Sequence, residues 1–177
     1  MINIQTISVL AIGFLLGALF FGGSSAVLGY TNTTEFCTSC HSMKTNHEEY
    51  KESMHFKNPS GVVAECADCH VPKQLGPMLW AKIVAVKDVY HEIVGTIDTE
   101  EKFEARRWEM ANRVWDKMRA TNSRECRNCH SFSAMDLAEQ DKMARKKHED
   151  AEQKGKTCID CHKGIAHEEP DEPDDES

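Results

Sequence analysis

Glu35-Phe36-Cys37-Thr38-Ser39-Cys40-His41-Ser42-Met43 contains a Cys-x-x-Cys-His motif a few residues beyond an uncharged, apolar N-terminus. Two thiols three positions apart can form thioethers to one porphyrin while the adjacent imidazole reaches the iron, so the motif is typical of c-type haem attachment. Three more copies follow, and together the four motifs use all eight cysteines. The later copies are Cys66-Ala67-Asp68-Cys69-His70, Cys126-Arg127-Asn128-Cys129-His130 and Cys158-Ile159-Asp160-Cys161-His162.

Two other interpretations of paired cysteines explain this pattern less well. A disulfide across so short a loop would be strained, and it would not require a histidine after each pair. Zinc ribbons combine Cys-x-x-Cys units two by two, again without a following histidine. The sequence therefore predicts four covalently bound haem c groups, numbered haem 1 to haem 4 in the order of their motifs.

The composition indicates a fold built around these cofactors. The chain has 177 residues, of which 7% are aromatic and 28% are charged. Its polar part therefore has too few large apolar side chains for an ordinary core. We expect a mainly α protein in which the haems form the core of a small tetrahaem domain.

Residues 1–30 predict one transmembrane helix. No charged side chain occurs before Glu35, and residues 7–23 (ISVLAIGFLLGALFFGG) are almost wholly apolar. The full segment is long enough to cross roughly 30 Å of hydrocarbon. A cleaved signal peptide is the alternative, but the basic n-region is missing and the apolar run exceeds the usual length. Gly13 and Gly17 form a G-x-x-x-G pair that would suit a homodimer.

The anchor and the haem motifs together predict the location of the protein. Because c-type haem is attached after export, the residues beyond about Thr31 are expected in the periplasm. The protein is then a single-pass protein of the bacterial cytoplasmic (inner) membrane, in contact with its lipid and quinone pool.

Four helical segments are predicted in the polar part from runs of helix formers and from glycine, proline and capping signals. They run from Ser42 to Met54, from Pro77 to Gly95, from a cap at Asp98–Glu101 to about Ala120, and from Ser133 to Lys154.

The C-terminal residues 168–177 predict a disordered acidic tail. Seven of these ten residues are acidic and two are proline. They account for most of the formal net charge of −8. Nothing in the sequence indicates a nucleic-acid surface.

The spacing of the motifs predicts an internal duplication. Cys66 follows Cys37 by 29 positions and Cys158 follows Cys126 by 32, whereas 60 positions separate Cys66 from Cys126. The haems therefore fall into two pairs. We expect a first di-haem module at residues 31–97, with haems 1 and 2, and a second at 98–167, with haems 3 and 4.

The histidines limit how many irons can have two axial imidazoles. Of the nine histidines, four lie in the motifs, namely His41, His70, His130 and His162. The others are His47, His55, His91, His148 and His167. His55 and His148 precede the second motif of each pair by eleven and ten residues, so they are the first candidates for a sixth ligand. His167 is the third.

Haem 1 is expected to lack a second histidine ligand. The position in the first half that corresponds to His167 is Leu75 or Lys73, and neither is a histidine. Met43, two residues after His41, competes with His41 as a ligand to haem 1 iron, and both alternatives stay open. An iron with an open or weakly held position can meet a substrate, whereas two strong ligands suit an electron relay.

A resemblance to a known family rests on five stretches behind the single anchor. They are Cys-His-Ser-Met at 40–43, Cys-His-Val-Pro at 69–72, Ile-Asp-Thr at 97–99, Glu-Cys-Arg-Asn-Cys-His at 125–130 and Thr-Cys-Ile-Asp-Cys-His-Lys-Gly-Ile-Ala-His at 157–167. With four haem motifs, they resemble the NapC/NirT/NrfH family of tetrahaem quinol dehydrogenases, and its CymA-type members most. The likeness covers nearly the whole chain except the acidic tail.

The resemblance also suggests roles for single residues. In the NrfH branch a lysine twelve residues after the second motif's histidine binds haem 2, and that position here is Lys82. The repeat instead offers His148, so His148 and Lys82 are alternatives for haem 2. An acidic residue beside haem 1 in that branch falls at or next to Asp88. Lys82, Asp88 and His91 are the predicted catalytic residues, as proton acceptors or hydroxyl clamps.

The implied function is oxidation of menaquinol or ubiquinol at haem 1. Electrons would then pass through the four haems to periplasmic terminal reductases or electron carriers in anaerobic respiration. Two alternatives come from other classes of protein. One is a passive anchored cytochrome without its own quinol site, and the other is a terminal reductase of a small oxidant such as nitrite.

Overall fold

A computed structural model describes residues 3–173 of the chain and shows seven α-helices and no β-strand in that range. The helices are α1 (Ile4–Tyr30), α2 (Thr34–Cys37), α3 (Met43–Glu52), α4 (Cys66–His70), α5 (Leu75–Ile93), α6 (Glu100–Ala120) and α7 (Lys142–Gln153). Three short 3-10 turns lie at Cys126–Asn128, Phe132–Ala134 and Cys158–Asp160. The prediction of a mainly α fold is confirmed. The first two residues of the predicted anchor and the last four of the predicted tail lie outside the described residues.

The anchor helix α1 has 27 residues and no buried side chain. The Asn3 side chain accepts a hydrogen bond from the backbone N–H of Thr6 at 2.8 Å and so caps the first turn. At 1.5 Å per residue the helix is about 40 Å long, which exceeds the hydrocarbon thickness of a bilayer. In the described part of the chain, α1 alone is long and apolar enough to cross a membrane. The predicted single-pass inner-membrane anchor is confirmed.

Three of the four helices predicted in the polar part are present near the expected bounds. These are α3, α5 and α6. Gly95 follows α5 with φ +73°, a left-handed conformation that glycine adopts without strain. The side chain of Thr99 caps α6 by accepting from the backbone N–H of Lys102 at 3.4 Å.

The prediction of a helix from Ser133 to Lys154 is wrong in its first half, because α7 begins only at Lys142. Asp141 accepts hydrogen bonds from the backbone N–H groups of Met143 and Ala144, at 2.9 and 3.0 Å, and so starts a new helix. Asp136 accepts from the N–H of Ala138 at 3.0 Å and forms a turn instead. Short acidic side chains thus compete with helical hydrogen bonds in this segment.

Few apolar side chains of the described residues are buried. The buried hydrophobic residues are Tyr50, Ile97, Phe103, Trp115 and Ile159. The chain exposes 13002 Å², whereas about 8700 Å² is expected for a folded monomer of 20.0 kDa. Part of this excess is the lipid-facing anchor, and the rest is consistent with a domain whose core is completed by large cofactors.

The two halves of the polar domain contain matching contacts. A hydroxyl lies three residues before the first cysteine of each pair, on Thr34 in the first half and on Ser123 in the second. Thr34 donates to the Glu65 carboxylate, directly before the second motif of its half. Ser123 is fully buried and accepts from the Thr157 hydroxyl at 2.5 Å, also directly before a second motif. These contacts support the proposal of two di-haem modules at 31–97 and 98–167.

The segment after the last motif is tied to the body of the protein at its start. The Arg107 guanidinium bonds both the Glu49 carboxylate and the carbonyl of Glu168. The backbone N–H of Glu168 donates to Glu49 at 2.9 Å. From residue 168 to residue 173 the chain forms neither helix nor strand. Disorder of the tail stays a prediction.

Candidate functional site: four haem-binding motifs

None of the eight cysteines forms a disulfide, and all are at least partly accessible. Within residues 3–173 no group of three or more His, Cys, Asp or Glu side chains could hold a metal ion by itself. The disulfide and zinc interpretations therefore find no support in the structure. A porphyrin supplies four of the ligands of its own iron, so the protein needs to add only one or two. The residues present fit haem in this respect.

Three of the four motif histidines face a second histidine ring. His130 lies opposite His55 with a distance of 6.2 Å between ring centroids. The corresponding distance from His70 to His167 is 6.2 Å. From His162 to His148 it is 6.0 Å.

These distances suit two imidazoles bound to opposite sides of one iron. With metal–nitrogen bonds of about 2 Å and ring centroids about 1.2 Å behind the nitrogens, the two centroids are expected about 6 Å apart. Direct stacking of two aromatic rings would not require this separation to recur. The same spacing at three independent places therefore favours three sites for haem with two histidine ligands.

The three histidines that face a motif histidine each have one ring nitrogen engaged by an oxygen. The Nδ1 atoms of His55, His148 and His167 lie 3.4, 2.6 and 3.1 Å from oxygens of Ile165, Gln140 and Asn46. Carbonyl oxygens only accept, so each Nδ1 carries the hydrogen and Nε2 is left with a free electron pair. Burial also lowers the pKa of His167, which favours the neutral ring. This arrangement orients Nε2 as a metal ligand.

The histidine that faces the second motif is neither of the two candidates predicted for haem 2, His148 and Lys82. His148 faces His162 of the fourth motif, and the Nζ of Lys82 donates to the carbonyl of Thr31 at 2.5 Å. His167 is the ring that lies opposite His70. The geometry thus offers His167 for haem 2, His55 for haem 3 and His148 for haem 4.

Two of the three pairs connect the two halves of the chain. His55 comes from the first half and faces a motif of the second, whereas His167 comes from the second half and faces a motif of the first. The carbonyls that orient these two rings, on Ile165 and Asn46, also come from the opposite half. The modules therefore interlock, and neither would have its full set of histidines alone.

The Cys37–His41 motif, which is nearest the anchor, differs from the other three motifs in the surroundings of its histidine. In the described part of the chain, His41 is the one motif histidine that does not face another histidine ring. Its backbone N–H donates to Oε1 of Glu92 at 2.9 Å. The other carboxylate oxygen of Glu92 is buried without a hydrogen-bond partner. Met43 is half-buried at the start of α3, two residues beyond His41.

Glu92 and Gln140 are two residues of these sites that the sequence did not predict. Glu92 follows Asp88 by four positions on α5, but the resemblance that suggested Asp88 did not extend to it. Gln140 lies in the segment that was expected to be helical, and no sequence signal distinguishes its amide as the partner of His148.

The three predicted catalytic residues lie on different sides of α5. Lys82 is half-buried beside the end of the anchor and close to Cys37. Asp88 and His91 line a cavity of about 250 Å³ between α5 and α6, which also contains Arg106 and Arg113. The Nδ1 of His91 lies 3.3 Å from the Thr96 hydroxyl. The structure therefore brings Asp88 and His91 together and places Lys82 apart from them.

Burial lowers the pKa of Lys82 below the ordinary value of lysine. The Cys37 thiol opposes this shift while it can ionise. A thioether carries no charge, so the opposing effect of the Cys37 thiol disappears once haem is attached. A neutral amine at this position is therefore more accessible than in a solvated lysine.

The chain is similar to known c-type cytochromes. A model of the NapC/NirT cytochrome c family, N-terminal region, matches residues 1–172. A tetraheme cytochrome-c type protein of Allochromatium vinosum is 62% identical over 172 residues, which cover 96% of this chain and 94% of the relative. Cytochrome c-type protein NapC of Escherichia coli (strain K12) is 50% identical over 165 residues, covering 93% of this chain and 82% of the relative.

Among solved structures, the fold is similar to a chain of the cytochrome c nitrite reductase NrfHA complex bound to the HQNO inhibitor. The TM-score is 0.52 and the identity 23%, with 90% of each chain covered. At this identity the likeness shows a shared fold. The family model, the curated relatives and the four Cys-x-x-Cys-His motifs together show that the chain belongs to the NapC/NirT cytochrome c family.

Proposed function

We propose that this protein is a membrane-anchored tetrahaem cytochrome that oxidises menaquinol or ubiquinol beside the Cys37–His41 motif and delivers electrons to periplasmic reductases or electron carriers. One observation carries the proposal. Three motif histidines face a second histidine, and the exception, His41, belongs to the motif next to the membrane anchor. The site left open to a substrate is thus the one nearest the lipid.

The chain's own residues would hold the four cofactors in a fixed order. Cys37 and Cys40 would attach haem 1, and His41 or Met43 would bind its iron. The remaining pairs, Cys66 with Cys69, Cys126 with Cys129 and Cys158 with Cys161, would attach haems 2 to 4. Bound haem supplies iron that accepts and passes on one electron at a time.

A quinol that becomes a quinone releases two electrons and two protons, so residues beside the site must take the protons. Lys82 is our candidate for the first contact, because its amine bonds the carbonyl of Thr31 at the end of the anchor and interacts electrostatically with the Cys37 thiol. Its lowered pKa makes the neutral, proton-accepting amine more accessible. The carbonyl of Thr31 holds the Nζ in position.

Asp88 and His91 are proposed as the next acceptors. They share the cavity between α5 and α6 with Arg106, Glu109 and Arg113. Glu92 joins this group because it binds the backbone of His41 and has a buried, unpartnered oxygen. These side chains would lead protons away from haem 1 toward the periplasmic side.

Reduction of the purified holoprotein in liposomes tests the function. We expect menaquinol or ubiquinol in the bilayer to reduce the haems under anaerobic conditions without any added protein. Quinone-free liposomes are the control. If neither quinol reduces the haems while dithionite reduces all of them, the protein is a passive cytochrome. Steady turnover with nitrite alone would instead favour a terminal reductase.

The proposed homodimer has one supporting feature. Gly13 and Gly17 lie one turn apart on α1, and a side chain added at either would meet open space. A second anchor helix could therefore approach closely at this position.

A further inference from the structure

Helix α5 exposes a continuous apolar stripe that no other part of the described chain covers. Its members recur every three or four positions, as expected for one helix face. The stripe residues are Leu75, Leu79, Ile83, Val86, Tyr90 and Ile93. Each of these side chains is between 43% and 78% exposed, and no charged residue lies among them. Scattered exposed apolar residues need no explanation, but a whole unpartnered helix face does.

The stripe does not face the haem-binding body of the protein. Two other faces of α5 make those contacts. Met78, Lys82 and Glu92 reach Asn32, Thr31 and His41, while Asp88 and His91 face the cavity beside α6. At 100° per residue the stripe lies roughly 90° from the first of these faces and roughly 160° from the second. It is therefore a third face of α5, which makes neither set of contacts.

The membrane is directly beside this surface. Thr31 is the C-cap of the anchor helix α1, and its carbonyl accepts from Lys82, the residue before Ile83 of the stripe. One residue further along, the Asn32 amide lies 3.6 Å from the sulfur of Met78, the residue before Leu79. The stripe is thus continuous with the point where the anchor leaves the hydrocarbon.

We propose that the α5 stripe is a second membrane contact, which lies in the headgroup and upper acyl region of the leaflet from which α1 emerges. Lipid is the occupant that the continuity with α1 favours. Tyr90 on the stripe and Trp80 at its edge, 59% and 66% exposed, are amphipathic rings of the kind enriched at membrane interfaces.

This contact would fix the depth and tilt of the domain. A single transmembrane helix followed by a short connection leaves the domain free to rotate above the bilayer. A second contact on α5 holds Lys82 and Cys37 at the membrane boundary in a constant orientation. The inference concerns lipid contact alone and does not depend on quinol oxidation.

Introduced cysteines test the lipid contact in the full-length holoprotein. All native cysteines are consumed by haem attachment, so a single new cysteine is the sole free thiol for labelling. We would prepare Ile83→Cys and Val86→Cys in nanodiscs of phosphatidylethanolamine and phosphatidylglycerol. The control is Lys146→Cys, at an exposed position of α7. A membrane-impermeant maleimide is applied, and each rate is normalised to the unfolded protein.

We expect the two stripe cysteines to react at least about tenfold more slowly than the control. Equal rates at all three positions would overturn the proposal. A second measurement uses the unaltered protein, with a carbene probe attached to the lipid acyl chains. Crosslinks on α5 peptides as well as on α1 would support the contact. Crosslinks confined to α1, or protection by a second copy of the chain instead of lipid, would contradict it.

Discussion

Replacing any one of His55, His148 or His167 with alanine is expected to convert one low-spin ferric haem into a high-spin haem. Each of these rings lies about 6 Å from a motif histidine, the separation required for two ligands on one iron. Loss of one imidazole leaves that iron with a single strong ligand. Electron paramagnetic resonance and optical spectra of the ferric protein give the count of each spin state.

The ring orientations make the three variants distinguishable. The planes of His55 and His130 are 83° apart, whereas those of the other two pairs differ by 29° and 33°. Nearly perpendicular imidazoles leave the iron orbitals that interact with them close in energy, so haem 3 should give the most anisotropic low-spin signal. We expect this signal to disappear in His55→Ala and to persist in His148→Ala and His167→Ala.

The matched control is His47→Ala. His47 is a half-buried histidine in α3 that faces no other histidine ring in the described part of the chain. Its replacement should leave all low-spin signals in place. A new high-spin haem in the His47 variant, or none in two of the three ligand variants, would show that the pairing is incorrect.

Lys82→Met is expected to lower the rate of quinol oxidation by about a hundredfold or more, the usual contribution of a positioned proton acceptor. Spin states and total haem content should not change, because Lys82 bonds Thr31 and faces no histidine pair. The control is Lys146→Met on α7, which is exposed and distant in sequence from the anchor. Stopped-flow reduction by menaquinol in liposomes measures the effect.

Lys82→Arg separates the two roles considered for this amine. Arginine keeps the charge and can still bond Thr31, but it does not lose its proton in proteins. If Lys82 accepts a proton, the arginine variant should be almost as slow as Lys82→Met. If it retains more than about half of the wild-type rate, Lys82 serves as a hydroxyl clamp and the acceptor role is contradicted.

The lowered pKa of Lys82 also predicts the direction of the pH dependence. Burial shifts the pKa downward, so the neutral amine gains population at a lower pH than in a solvated lysine. The wild-type kcat/KM should therefore rise as the pH approaches the pKa of Lys82 from below, and this rise should be absent in Lys82→Met. A wild-type rate that falls with increasing pH would exclude Lys82 as the acceptor.

Local signals in the sequence were sufficient to predict the haem-binding motifs and most of the helices. The Cys-x-x-Cys-His units, the uncharged N-terminus and the caps at Gly95 and Thr99 act over a few residues, and each predicted the element it lies in. The prediction of a helix that begins at Ser133 failed for a local reason as well. Its residues favour a helix on average, but the side chains of Asp136 and Asp141 bond nearby N–H groups and delay the helix.

The pairing of histidines could not be predicted in the same way, because the partners are far apart in the chain. His55 and His130 are 75 positions apart, and His70 and His167 are 97 positions apart. Counting predicted that three histidines were available for four irons, but it did not show which ring faces which motif. The exchange of ligands between the two halves follows from tertiary packing alone.

The surroundings of Lys82 likewise depend on tertiary packing and could not be predicted from local sequence signals. At 100° per residue, Lys82 and Asp88 are about 120° apart on a helix, so their spacing alone places them on different sides of α5. It could not show that one side meets the end of the anchor and the other meets α6. Those neighbours decide which residue is nearest to the lipid.

The most direct test of the account is the spin-state count of the wild-type ferric protein, with and without a menaquinol analogue. We predict three low-spin haems and one high-spin haem, and only the high-spin signal should change when the analogue binds. Four low-spin haems, or a high-spin signal that the analogue leaves unchanged, would contradict an open site beside His41.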